Sequence, residues 1–330
     1  MSLSRRALLS GLPLSLAACA PTVQRAGIPP AGFTGPALGE RSFVSADGVR
    51  LPLDVWRPKD AEPWGAIVAL HGMNDYANAF ATSAPWWAEQ GIATYAYDQR
   101  GFGRGPGRGL WGGTALLTED LRTLTALVRA RHPGATVGVL GHSMGGAVAV
   151  SAFASDRPPA ADRLVLAAPA VWGWSRQSLP NKLALWVSAH VAPGWRLTPP
   201  DWLARRIQAS DNIEILRAMG RDRNMIFDTR VDAVYGLVNL MQRADRGIGA
   251  VKAPTLFLYG ANDQIIPKEA ALHAARGLKP TDRSAYYAKG WHLLTRDLQG
   301  PVVWKDIEAF LRDAAAPLPS GAPPLPNRAT

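Results

Sequence analysis

The chain has 330 residues, 47% of them hydrophobic, and a formal net charge of +10 at pH 7. That length suits one large α/β domain carrying an insertion, or two small domains, and the apolar content excludes wholesale disorder. The charge comes mostly from arginines scattered along the chain with no accompanying nucleic-acid motif, which argues against a nucleic-acid partner, and the single cysteine excludes an internal disulfide.

The first twenty residues begin basic (Arg5, Arg6), run apolar from Ala7 to Ala18 and pass through Leu16-Ala17-Ala18-Cys19. This is the layout of a secretory signal peptide, too short to span a bilayer. Leu-Ala-Ala-Cys resembles the lipobox of bacterial lipoproteins. The resemblance implies that residues 1–18 are removed, that Cys19 is lipidated, and that the protein is lipid-anchored to a membrane of the bacterial cell envelope on its periplasmic side. The rival, cleavage after Ala20, would leave Pro21 directly beyond the cut, an unfavourable place for a ring-locked residue. Ser4-Arg5-Arg6-Ala7-Leu8-Leu9 also resembles a twin-arginine export signal, so the export route stays open.

Residues 19–41 are rich in Pro and Gly and lack periodicity, which reads as a tether outside the fold. Ala46-Asp47-Gly48 between Ser42–Ser45 and Val49–Trp56 is a hairpin signal. Gly65–Leu70 is a continuous apolar run, as a strand buried on both faces requires. It ends in His71-Gly72-Met73-Asn74. A helix over Asn78–Gln90 and a strand over Ile92–Tyr97 follow, then the glycine-rich turn Asp98-Gln99-Arg100-Gly101-Phe102-Gly103, which lacks the Lys-Ser/Thr of a phosphate-binding loop. Leu116–Arg131 spaces Leu117, Leu121, Leu124 and Val128 as an amphipathic helix stopped by His132-Pro133-Gly134.

Thr136–Leu140 is the next strand, and it runs into Gly141-His142-Ser143-Met144-Gly145 and a small-residue helix, Ala147–Ala154. Strand, G-x-S-x-G, helix is the context of a nucleophile elbow, in which a serine sits on a sharp turn above the sheet. A strand over Arg163–Ala168 follows. The alternation of strand and helix to this point marks a doubly wound, mostly parallel sheet. From residue 170 to 249 no buried strand is legible. Helical patterns (Trp202–Gln208, Ile213–Met219, Val231–Met241) and five tryptophans gather there, which reads as a helical cap inserted into the α/β core of residues 42–169 and 250–314. The core resumes with a strand over Thr255–Gly260, a helix over Lys268–Arg276, a strand over Ser284–Ala288 and a helix over Val302–Ala314. Residues 315–330 read as a disordered tail.

Three groups fall off the carboxyl ends of strands, where ligands bind in such sheets: Ser143, Asp263 and His292. Their order in the chain is the one that accompanies G-x-S-x-G. A serine hydroxyl needs a base to take its proton as it attacks, and the imidazole needs a carboxylate on its other nitrogen to hold its tautomer. His292 alone among the six histidines lies on a glycine turn after the last strand. Asp263 is the acid, because Asp297 lies only five residues beyond the histidine and Asp282 precedes the last strand. The backbone N–H groups of Met73 and Met144 are the candidate oxyanion donors. No metal-ligand spacing and no cofactor motif occurs, so neither is expected.

Taken together, Gly141–Gly146, His71-Gly72-Met73, the Asp98–Gly103 loop, Gly260–Asp263 and Gly290–His292 resemble the α/β-hydrolase superfamily over about residues 42–313, and within it the monoacylglycerol lipase and lysophospholipase group. The resemblance implies an α/β-hydrolase fold with a helical cap, Ser143, Asp263 and His292 as triad, and hydrolysis of lipid-like carboxylic esters through an acyl-enzyme. Met73-Asn74-Asp75-Tyr76 and Arg104-Gly105 depart from the pattern of such relatives, which leaves the precise substrate open. Two alternatives also stay open: an acyltransferase on the same fold and a non-catalytic envelope lipoprotein.

Overall fold

Strands β4 (Gly65–Leu70) and β6 (Thr136–His142) lie parallel at the middle of the sheet, with Leu70 opposite Gly141, so both chains leave the sheet at the same edge. The computed structural model describes residues 20–198, 202 and 206–326; the expected signal peptide and Cys19 lie outside the described residues. The remaining strands are β1 (Ala37–Leu38), β2 (Ser42–Val44), β3 (Arg50–Trp56), β5 (Ile92–Tyr97), β7 (Arg163–Ala167), β10 (Thr255–Gly260) and β11 (Arg283–Tyr287), with a separate two-residue pair, β8 (Arg196–Leu197) and β9 (Thr229–Arg230). Among the described residues the main sheet has the order β1-β2-β3-β5-β4-β6-β7-β10-β11. It is antiparallel from β1 to β5 and parallel from there to β11.

The period-two alternation of the strands sends their side chains into two cores. Val68, Val139 and Phe257 join one, beneath the helices Thr114–Arg131 and Met144–Phe153. Ile67, Leu140 and Leu256 join the other, with Trp87, Phe310 and Leu311. Burial on both faces is what the unbroken apolar runs required.

Four local expectations are corrected. The single helix over Asn78–Gln90 is broken into a 3-10 turn, Ala77–Phe80, and a helix, Ala84–Glu89. Pro85 has no N–H to give and its ring excludes the carbonyl four residues back, so the helix can only begin there. Residues 20–41 lie on the fold instead of standing apart. Val23 bridges to Trp111, Gln24 donates its side-chain amide to the Leu110 carbonyl at 2.9 Å, and the Gly27 N–H donates to Asp47 at 2.7 Å. The glycine-rich loop has no ladder of its own, and this strap satisfies its carbonyls. The C-terminal segment docks along the free edge of β11: the Tyr286 N–H donates to the Pro323 carbonyl at 2.8 Å and Leu325 is buried, so the tail covers a strand edge. Within residues 170–249 a helix over Leu179–Val191 appears that the apolar pattern did not single out, beside Ile213–Arg221 and Val231–Gly247. Of the Trp202–Gln208 pattern, residues 203–205 lie outside the described residues, and residues 206–208 are turn and coil instead of helix.

The helix Val231–Gly247 packs across Met144–Phe153, the helix that follows Ser143. Among the described residues no helix is long and apolar enough to cross a membrane.

Candidate active site

Ser143 follows β6 and precedes the helix Met144–Phe153 with φ 50° and ψ −116°, a conformation costing a non-glycine residue about 1–3 kcal/mol. The neighbours hold it there. Its N–H donates to the Ala167 carbonyl at 3.1 Å, and its carbonyl accepts from Ala170 at 2.9 Å and Ala147 at 3.2 Å. The turn is possible because strand and helix touch backbone to backbone. A Cβ on Gly141 would lie 2.6 Å from the Gly145 carbonyl oxygen, and one on Gly145 would lie 2.4 Å from that of Leu70. These are the two glycines of the G-x-S-x-G pattern, and close approach is their physical reason.

His292 lies in the turn after β11. Its Nδ1 donates to Asp263 Oδ2 at 2.9 Å, and both side chains are buried. The other carboxylate oxygen, Oδ1, accepts the N–H groups of Ile265 (2.8 Å) and Ile266 (2.9 Å). Burial pushes the Asp263 carboxyl up, but the nearby charge of His292 and these hydrogen bonds outweigh it, and its pKa is lowered overall. An ionised acid on Nδ1 leaves Nε2 of His292 as the bare, basic nitrogen. His142, next to Ser143, joins the two loops: its ring lies 4.9 Å from that of His292, and its Nε2 donates to the His292 carbonyl at 3.0 Å.

Opposite them, the loop after β4 carries Met73. His71 fixes its root, accepting the Gln99 N–H at Nε2 (3.0 Å) and donating from Nδ1 to the Gly72 carbonyl (2.8 Å). Burial, the largest influence, holds the pKa of His71 down, so the ring serves as a neutral brace. Gly72 is pressed against the elbow, where a Cβ would meet Ser143 Cβ at 3.2 Å. Among the described residues neither the Met73 nor the Met144 N–H is engaged by another protein atom. Both are therefore available to a substrate oxygen, and the Met144 N–H stands at the positive end of its helix.

The acids set aside on position have other partners. Asp297 accepts from the Trp291 N–H and Ser210 Oγ, both at 2.7 Å, and so shapes the histidine turn. Asp282 accepts from the Thr255 and Lys279 N–H groups. Several partnerships around the site were not foreseen from sequence: the buried Asp75–Arg296 ion pair, the left-handed turn at Asn74 (φ 65°), and Arg108, whose guanidinium donates to the carbonyls of Gly103, Arg223, Asn224 and Met225. Each works through a partner more than a hundred positions away. The one local signal is Asn74, since Asn is the non-glycine residue that best tolerates a left-handed turn.

Comparisons with known proteins show what the chain is similar to. The family model Hydrolase_4 (Serine aminopeptidase, S33) matches residues 61–299. The chain is 32% identical over 231 residues to a monoacylglycerol lipase of Mycolicibacterium smegmatis, covering 69% of this chain and 80% of that one. It is 25% identical over 289 residues to a human monoglyceride lipase, covering 86% and 93%. Among solved structures, the monoacylglycerol lipase of Paleococcus ferrophilus superposes with a TM-score of 0.63 at 21% identity, over 79% of this chain and 98% of that one, a likeness of fold.

Proposed function

The chain belongs to the Serine aminopeptidase S33 family of α/β-hydrolases and is a carboxylic ester hydrolase, and we propose that its substrates are monoacylglycerols or similar single-chain lipid esters, cleaved with Ser143, His292 and Asp263 as triad. The observation that carries this reading is the 2.9 Å Asp263–His292 bond, tied through His142, which donates to the His292 carbonyl, to the strained Ser143 that follows it. His292 Nε2 takes the Ser143 proton as Oγ attacks the ester carbonyl. The resulting oxyanion accepts the Met73 and Met144 N–H groups, each such donor contributing about 3–4 kcal/mol. His292 then returns the proton to the leaving alcohol, and water repeats the sequence on the acyl-enzyme. The relatives named as monoacylglycerol lipases support the substrate class.

The same proposal places the mature protein on a membrane of the bacterial envelope through a lipid on Cys19. Two observations support it. The strap enters the fold beside the cap, where the Thr22 N–H donates to Asp232 at 3.3 Å. The cap helix Leu179–Val191 exposes Leu179, Leu183, Trp186, Val187 and Val191, one apolar face of helical spacing.

The experiment is a panel of 1- and 2-monoacylglycerols of graded chain length, lysophospholipids and aminoacyl nitroanilides, with the Ser143→Ala protein as blank. Monoacylglycerols should turn over fastest, and only with Ser143 present. Preferential cleavage of the nitroanilides, or acyl transfer to an added alcohol in place of hydrolysis, would overturn the assignment. Detergent partitioning of the full chain against Cys19→Ser tests the anchor: the wild type should enter the detergent phase and the variant the aqueous one. Equal partitioning would remove the anchor.

A further inference from the structure

The peptide that carries the Met73 N–H is held on one side by the core and on the other by the cap. On the core side, Gly72 is fixed by His71 and by contact with Ser143. On the other side stands Asn74, in a left-handed conformation (φ 65°) that Asn tolerates better than most L-residues. Both of its polar arms reach the cap segment Asp222–Thr229. Its carbonyl accepts the Ile226 N–H at 3.0 Å, and its side-chain amide donates to Thr229 Oγ1 at 2.7 Å. That cap segment is in turn bolted to the core. Arg108 spans the Gly103 carbonyl and the carbonyls of residues 223–225, and the Tyr76 hydroxyl donates to Asp222 at 2.6 Å. A small pocket with room for about one water, lined by Met73, Asn74, Phe102, Ile226 and Thr229, lies between the loop and the cap.

We infer that Asn74 is a positioning residue that aims the Met73 N–H by tying the oxyanion loop to Thr229 of the cap. The inference rests on the reading of Met73 as an oxyanion donor. Its consequence is that seating the cap and completing the oxyanion hole are one event, so a displaced cap loses catalytic power as well as acyl-chain affinity.

The test uses the full-length protein and a short soluble ester, p-nitrophenyl butyrate, whose acyl chain is too small to depend on the cap for binding. Asn74→Gly keeps the left-handed backbone and removes only the amide, Thr229→Val removes only the hydroxyl, and Thr229→Ser restores it. Asn74→Gly and Thr229→Val should each lower kcat about tenfold with KM within twofold. The double variant should be no worse than either single one, and Thr229→Ser should stay within twofold of wild type. Affinity for a trifluoromethyl ketone, which forms an oxyanion on the serine, should fall in step with kcat. A kcat within twofold of wild type in both single variants, or losses that multiply in the double variant, would overturn the role of Asn74. Ser143→Ala keeps the two levels separate: activity surviving there overturns the nucleophile itself, whereas loss there with Asn74→Gly fully active overturns only this inference.

Discussion

His142 donates from Nε2 to the backbone carbonyl of His292 at 3.0 Å while its ring lies 4.9 Å from the His292 ring, so the residue before the nucleophile also supports the base. The ring donates this bond in its neutral form. Burial, with smaller contributions from the charges of His292 and Arg296, lowers its pKa from 6.5 to about 3. Below pH 6.5 the unfolded chain binds a proton at this position that the folded chain refuses. Stability is therefore full above pH 6.5 and is lost as pH falls toward 3. His71, also lowered by burial, adds in the same direction. Each group contributes a slope of at most about 1.4 kcal/mol per pH unit. Urea unfolding between pH 4 and 7 should show the decline, and His142→Asn should flatten it; an unchanged slope in that variant would remove His142 from the account.

Backbone strain at Ser143 gives a second expectation. Glycine adopts φ 50° without a Cβ penalty, so Ser143→Gly should abolish ester turnover and yet raise unfolding stability by about 1 kcal/mol, the relieved strain less the added chain entropy. Ser143→Ala should abolish turnover without that gain. Denaturant midpoints of the two variants, compared with wild type, decide it; a Ser143→Gly protein less stable than Ser143→Ala would mean that the elbow is not strained.

Asp263→Asn should be nearly isosteric and catalytically severe. The Ile265 and Ile266 N–H groups demand an oxygen at Oδ1, so the new amide must turn its NH₂ toward His292. Nδ1 then has to accept, the proton moves to Nε2, and the base is lost. Turnover should fall by about 10⁴. Thermal unfolding should confirm an intact fold, and a loss of less than tenfold would indicate that another acid serves His292.

Ser143, Asp263 and His292 were legible because each lies shortly after a strand run with a glycine close by, Gly141 and Gly145 about the serine, Gly260 before the acid and Gly290 before the histidine, features confined to a few neighbouring letters. The sheet was legible for the same reason. What escaped depends on pairs remote in the chain. Nothing near Asn74 announces Thr229, 155 positions away, and nothing near Asp75 announces Arg296, 221 positions away. The helix Leu179–Val191 escaped because Leu183–Val187 is an unbroken apolar run that blurs its helical period. The strap and the tail look structureless because their hydrogen bonds go to loop carbonyls and a strand edge instead of a ladder of their own.

The Asp75–Arg296 pair joins the oxyanion loop to the histidine loop, and its energetics follow from burial. Asp75 is 4% exposed and Arg296 6%. Asp75 also accepts the Tyr76 N–H at 2.8 Å, and Arg296 also reaches the Met219 sulfur at 3.4 Å. Burial pushes the Asp75 carboxyl up, the Arg296 charge pulls it down, and the second wins, so its pKa is lowered. Removing one partner leaves a buried charge alone: Asp75→Asn should cost about 3–5 kcal/mol, and Asp75→Leu with Arg296→Met together should cost far less than the sum of the single changes. The sign of the pH dependence distinguishes the variants. In the wild type a lowered Asp75 contributes stability above its unfolded pKa that is lost as pH falls through the folded one. In Arg296→Met the largest opposition to burial is gone and the folded pKa rises relative to wild type, so that variant is less penalised in acid and its deficit grows as pH rises. Denaturation of the two proteins at pH 4 and pH 7 should therefore show the deficit of Arg296→Met widening at the higher pH. A deficit that narrows there would mean that Arg296 does not hold the charge of Asp75.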